Sequence, residues 1–199
     1  RAINIAKANG FTIDNADVNR SSFVWEIDPD DPKRLVQPLA GLKGLGDAAI
    51  QQIVDHRPFE TVEEFLFHDE IVYSKLNKKG LDVLVRSGAM DTLMDERFTG
   101  RKHFWSAVAV ERVYNRKKFN ENIEKFQDEE GFSVEEEIDN LTTLTGIFPM
   151  HLVVTEDVRA KLETYMVPAI SDYDPELGLV WFIPREIIRK KTKNGKLYW

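Results

Sequence analysis

The sequence predicts a mainly α-helical chain, with short turn-linked helices followed by a long one and β-strands only near the C-terminal end. Three observations carry that expectation. Apolar residues recur at helical spacing through most of the chain, capping residues and glycines punctuate those stretches, and a strand-like run appears only at Leu179-Val180-Trp181-Phe182-Ile183. Ile27-Asp28-Pro29-Asp30-Asp31-Pro32 reads as a loop, because two prolines and three acids cannot continue a helix or a central strand. Ala49, Ile50, Ile53 and Val54 then share one face of a short helix that stops before Pro58. Thr61-Val62-Glu63-Glu64 has capping-box spacing and opens a second helix through Phe65 and Leu66. Leu81, Leu84 and Val85 line a third, closed by Gly88, which suits a left-handed cap.

From Arg97 to about Lys125 there is no proline, and Phe104, Trp105, Val108, Ala109 and Val113 recur at helical spacing, which predicts one long helix. Ser133-Val134-Glu135-Glu136 is another capping box, for a helix closing by Gly146 and Pro149, and a further helix follows Thr155. Asn194-Gly195, between Arg189–Lys193 and Lys196–Trp199, carries a hairpin signal.

The 199 residues include no cysteine, which excludes disulfides, thiolate metal sites and a cysteine nucleophile. No window approaches the ~18 apolar residues of a membrane span, and a chain opening at Arg1 without an initiator Met reads as an excised fragment. The net charge of −7 argues against a nucleic-acid partner until its distribution is considered. Residues 1–70 carry −6 and 119–140 carry −8, whereas 71–118 carry +6 (11 basic, 5 acidic) and 185–199 carry +5.

The first basic block borders the most informative motif. Leu39-Ala40-Gly41-Leu42-Lys43-Gly44-Leu45-Gly46-Asp47-Ala48 has the pattern of a helix-hairpin-helix. Glycines there allow positive φ and leave no Cβ in the way, so the amides of Gly44, Leu45 and Gly46 can approach a phosphate. A mononucleotide P-loop is excluded, because Asp47 and Ala48 stand where Lys and Ser or Thr are needed. Lys75-Leu76-Asn77-Lys78-Lys79-Gly80 places more positive charge at the mouth of the next helix, as a second hairpin would. Asp28/Asp30 and Asp172/Asp174 fall in Pro-rich turns and are not expected to be catalytic. A calcium loop from Asp28 fails at Pro32 and Leu39. His56, His68, His103 and His151 lack ligand spacing, so no metal site is expected.

Gly41-Leu42-Lys43-Gly44-Leu45-Gly46, Arg57-Pro58-Phe59, Leu76-Asn77-Lys78-Lys79 and Ser87-Gly88-Ala89-Met90-Asp91 resemble, in order and spacing, the post-catalytic region of bacterial C-family replicative DNA polymerases, the DNA polymerase III alpha subunits. Asp17-Val18-Asn19-Arg20 is similar to that family's end-of-fingers element, with Ala16 replacing a proline. Gly146-Ile147-Phe148-Pro149 departs from its Gly-His-Pro, and Gly80 stands where a larger apolar residue is usual. The resemblance implies an end-of-fingers piece over 1–26, a tandem helix-hairpin-helix domain with the long helix over 27–126, an acidic linker with helices over 127–166, and the start of an OB fold over 167–199.

It also implies sequence-independent binding of duplex DNA behind the polymerase active site, through Lys43, Gly44, Leu45, Gly46, Lys75, Asn77, Lys78 and Lys79, with Arg101 and Lys102 extending the track. The carboxylates that hold Mg²⁺ in such a polymerase lie upstream of Arg1, so neither a catalytic residue nor a cofactor is expected in this segment. Gln127 and Phe132 bound a degenerate candidate for sliding-clamp binding, and other replisome subunits are further possible partners. A bacterial cytoplasmic or nucleoid location, bacterial or phage-encoded, and no membrane contact complete the expectation. Two other classes stay open. The acidic 119–140 segment or the helical face could instead serve a protein-interaction module for the clamp or another replisome subunit, or the hairpins could come from a DNA repair nuclease.

Overall fold

The computed structural model describes residues 2–111, 113–172, 175–176, 178–184, 190–192 and 197–198. The chain divides into two compact units, Arg1–Pro149 and Met150–Trp199.

The first unit begins with α1 (Ala2–Ala8) and a small sheet of order β1-β3-β2, made of β1 (Thr12–Asp14), β2 (Glu26–Ile27) and β3 (Arg34–Val36). β1 runs parallel to β3 with Ile13 opposite Leu35, and β2 runs antiparallel to it with Ile27 opposite Leu35. Strands of two or three residues are too short to show periodicity, so no pattern marks them in the sequence. The Pro-rich loop lies between β2 and β3 as expected. Its aspartates build turns: Asp28 accepts from the Asp30 amide at 2.9 Å and Asp31 from the Lys33 amide at 2.9 Å.

The stretch from Ala16 to Ser21 is woven into the helices that follow. Asn19 exchanges two 2.8 Å hydrogen bonds with the backbone of Phe59, the Val18 amide donates to Ala89 O at 2.9 Å, and Thr92 donates to Asp17 at 2.8 Å. Ala16 and Val18 are buried in the same cluster as Leu39, Ile50, Ile53, Phe65, Leu84 and Phe104. One core therefore spans the expected boundary at residue 26.

A 3-10 turn (Leu39–Gly41) leads through Leu42–Gly46 into α2 (Asp47–His56), and α3 (Val62–Leu66) leads into α4 (Lys78–Arg86). Thr61 caps α3 by accepting from the Glu64 amide, while the Glu64 carboxylate reaches the Glu60 amide, one residue earlier than a capping box requires. Ser87 ends α4, and Gly88 takes φ +81°.

The expected long helix is two helices. α5 (Arg101–Trp105) widens into a π-helical turn (Ser106–Val110), the backbone becomes extended at Glu111 (φ −113°, ψ 145°), and α6 (Arg116–Phe126) folds back beside it. Asn115 is the decisive residue, its side chain capping α6 through the Lys118 amide at 2.8 Å. Antiparallel closure is then fixed by buried polar groups. His103 donates from Nε2 to Ile123 O at 2.8 Å while its Nδ1 accepts from the Thr99 amide at 3.1 Å, and Asn122 donates to Ala107 O at 3.1 Å. Glu111 pairs with Lys118 at 2.6 Å and with Lys125, and these lysines hold its carboxyl down to about 2.

α7 (Val134–Thr145) starts with the predicted capping box of Ser133 and Glu136 and stops at Gly146, φ +71°. Its last carbonyls accept from within the unit: Leu144 O from the Lys43 amide at 2.8 Å, and Thr145 O from Gln37 Nε2 at 2.9 Å.

The second unit contains α8 (Met150–Val153), α9 (Glu156–Thr164), capped by Thr155 as expected, and β4 (Lys190–Lys191) antiparallel to β5 (Leu197–Tyr198). The predicted strand at 179–183 is absent among the described residues. Trp181 makes only an isolated parallel bridge to Ala169. Asn194-Gly195 lies outside the described residues, as does Asp174. Two strands of two residues do not define an OB fold. Among the described residues no helix is long and apolar enough to cross a membrane.

Candidate nucleic-acid interface

The two hairpin turns meet. Gly44 has φ +98°, and a Cβ placed on it would lie 3.3 Å from Val83 Cγ2 and 3.7 Å from Lys79 Cε, so the first turn abuts the first two turns of α4. The absent side chain at Gly80 makes the matching space, since a Cβ there would lie 3.2 Å from Leu76 and 3.6 Å from Leu45. Leu45 and Leu76 are both buried and glue the turns together. Of the three glycines in the first turn only Gly44 requires a glycine conformation, whereas Gly41 and Gly46 have ordinary backbones.

The turns offer an anion different things. Gly46 caps α2 with no side-chain hydrogen bond, and the first helical bonds run from Ala49 and Ile50 to Gly46 O, so the Asp47 and Ala48 amides ahead of them point out unpaired at the positive end of the helix. Apart from its chain neighbours, nothing lies within 4 Å of where a Gly46 Cβ would be, and Asp47 and Ala48 are themselves exposed. The Leu45 amide, by contrast, already donates to Leu42 O at 3.3 Å. At α4 the Asn77 side chain takes the Lys79 and Gly80 amides at 3.0 and 3.2 Å, so this turn contributes lysine charge and not amides.

The basic block sorts into used and available charge. Arg86 pairs with Asp82 and donates to Asn140, and Arg97 pairs with Glu63 and Asp95, whose carboxyls it lowers by hydrogen bonding. Arg101 donates to both oxygens of Asp91, at 3.0 and 2.5 Å, and to Glu137. Lys102 lies 3.7 Å from Glu136 and over the Phe132 ring. Acid from α7 thus pairs with Arg101 and Lys102. Lys43, Lys75, Lys78 and Lys79 are exposed, and among the described residues no ion pair takes them. Gln127 is exposed after α6, while Phe132 packs 5.8 Å from the Trp105 ring, inside its own fold.

A model of the helix-hairpin-helix motif matches residues 10–100. Residues 10–100 fit a helix-hairpin-helix domain. This domain is similar to part of the DNA polymerase III subunit alpha of Pseudomonas aeruginosa, 33% identical over 101 residues, covering 49% of this chain and 8% of that protein. The Helicobacter pylori subunit is 36% identical over 64 residues (31% and 5%), and that of Thermus aquaticus 30% over 94 residues (45% and 7%). The chain thus spans less than a tenth of the length of these relatives.

Packing joins two of the histidines that lack ligand spacing in the sequence. His56, at the end of α2, and His68, just beyond α3, are brought together with Glu70, so three side chains of metal-ligating types, separated by 11 and by one intervening residue, converge. No ligand spacing in sequence predicts this, because the ligands sit on two elements that only packing joins.

Gly44 gives the helix-hairpin-helix domain its most specific test. Gly44→Ala is expected to cost about 1–2 kcal/mol through its left-handed φ and the Val83 contact, read by urea denaturation. Gly46→Ala, at an ordinary φ with nothing near its Cβ, should cost under about 1 kcal/mol in the same measurement.

Proposed function

We propose that this helix-hairpin-helix domain grips the sugar-phosphate backbone of duplex DNA without reading sequence, as a non-catalytic segment of a replicative DNA polymerase of the DNA polymerase III alpha type. The observation that carries the reading is the convergence on two abutting turns of Lys43, Lys75, Lys78 and Lys79, which have no ion pair among the described residues, with one turn exposing the start of α2. Amides and lysines contact phosphate and carry no base information. Two turns set side by side suit the two strands that border one groove. The rest of the domain is acidic, which suppresses indiscriminate adhesion and leaves the grip local. Similarity to DNA polymerase III alpha segments supports the replicative context, in which Mg²⁺ chemistry belongs to residues outside this segment.

Fluorescence anisotropy with two duplexes of unrelated sequence, titrated over a range of salt, tests the proposal. Equal affinities, and a log–log salt slope near −3 to −4 for four lysine contacts, are expected. A strong preference for one sequence, or binding indifferent to salt, would be incompatible with it.

A further inference from the structure

We infer that His56, His68 and Glu70 form a binding site for a transition-metal dication, Zn²⁺ by the chemistry of its donors, at the junction of α2 with the turn leading to α4. One ligand atom from each of the three lies within 4.8 Å of the others. Tetrahedral zinc with bonds of about 2.0–2.1 Å sets its ligands roughly 3.3–3.5 Å apart, so the site closes by small side-chain rotations. One edge is already at that spacing, since His56 Nε2 lies 3.4 Å from Glu70 Oε2.

The hydrogen bonds around His56 explain why a cation suits this place. Its Nδ1 is 2.7 Å from Gln52 O. A carbonyl only accepts, so Nδ1 donates and Nε2 is the nitrogen turned toward the Glu70 carboxylate oxygen, 3.4 Å away. That spacing of an imidazole nitrogen and a carboxylate oxygen is the one a tetrahedral ion needs between two of its ligands. The arrangement of a backbone carbonyl holding one ring nitrogen while the other faces outward is how proteins orient metal-binding histidines. His68 lies alongside, its ring 4.8 Å from that of His56, and its Nδ1 is engaged only by a weak 3.3 Å contact from the Glu70 amide. Two imidazoles and one carboxylate favour Zn²⁺, Co²⁺ or Ni²⁺ over Mg²⁺ and Ca²⁺. Three protein ligands leave a fourth position for water.

The support beneath the site is rigid. Gln52, the residue whose carbonyl orients His56, also accepts the Val72 amide on its side chain at 2.8 Å, so the segment holding Glu70 is already docked on α2. A bound ion would add a second tie between α2 and that segment.

The test uses the 199-residue chain with Zn²⁺ and with Co²⁺ as probes. One equivalent of Zn²⁺ should bind, Co²⁺ should develop the intense visible bands of a tetrahedral site, and free Zn²⁺ at about 100 times Kd should raise Tm by roughly 5–10 °C. His56→Ala, His68→Ala and Glu70→Gln should each weaken binding by about 10- to 100-fold or more. Glu70 is 76% exposed, so Glu70→Gln keeps the fold if a histidine variant does not. Absence of Zn²⁺ uptake at millimolar concentration, displacement by equimolar Mg²⁺, or unchanged affinity in Glu70→Gln and in the double histidine variant would each overturn the assignment.

Discussion

Replacing both Lys78 and Lys79 with glutamate is expected to lower affinity for duplex DNA about 100-fold at ~0.1 M salt and to flatten the salt slope by about 2. Both lysines stand exposed at the start of α4, and neither carries an ion pair among the described residues. At contact distance each lysine–phosphate pair is worth about 1 kcal/mol in water, and reversal replaces that attraction with repulsion of similar size. Four such increments, reduced by screening, give the factor. Stability should hardly change, because Asn77 and not a lysine caps the helix. The matched control is Arg116→Glu with Lys117→Glu, which changes net charge equally on α6, where Arg116 lies over the Phe67 ring and Lys117 faces Glu121. Equal loss from both pairs, measured by anisotropy at one ionic strength, would mean that total charge governs binding and that the turns are not the site.

What the sequence showed and what it hid follow from the range of the interactions involved. Thr61, Ser133, Thr155, Gly88 and Gly146 mark helix ends through contacts within a few residues, and each end lies where the pattern puts it. The tandem turns were legible for the same reason. The reversal at Glu111–Asn115 contains no glycine or proline, and its cause, Asn115 capping α6 while His103 and Asn122 bond across the pair, involves partners 15 and 20 residues apart. Charge was legible as a block but not as a resource. The +6 segment looks uniformly basic, yet α7, about 35 residues on, pairs with Arg101 and Lys102, and only packing shows which lysines have no ion pair among the described residues. His56 and His68 escaped notice because α2 and α3 bring them together.

Arg101 carries a prediction about stability. Arg101→Ala should destabilise the first unit by about 2–4 kcal/mol, toward the lower part of the range for breaking a buried ion pair because its partners are partly exposed. The guanidinium joins Asp91, on the 3-10 turn after α4, to Glu137 on α7, and it lies over Gly88, where a Cβ would come within 3.2 Å of its Nη2. Burial raises the Glu137 carboxyl above its ordinary value, and Arg101 is the main influence opposing that rise. Without Arg101 the rise grows. A carboxyl whose pKa is raised by folding favours the folded state when protonated, so the stability withheld at pH 7 returns as the pH falls through that raised value. The deficit of Arg101→Ala, measured by urea denaturation, should therefore be largest at neutral pH and shrink on acidification. Adding Glu137→Gln should recover about 1 kcal/mol at pH 7, since the half-buried charge is then gone. A deficit independent of pH and untouched by Glu137→Gln would show that Arg101 acts through its packing on Gly88 and not through its charge.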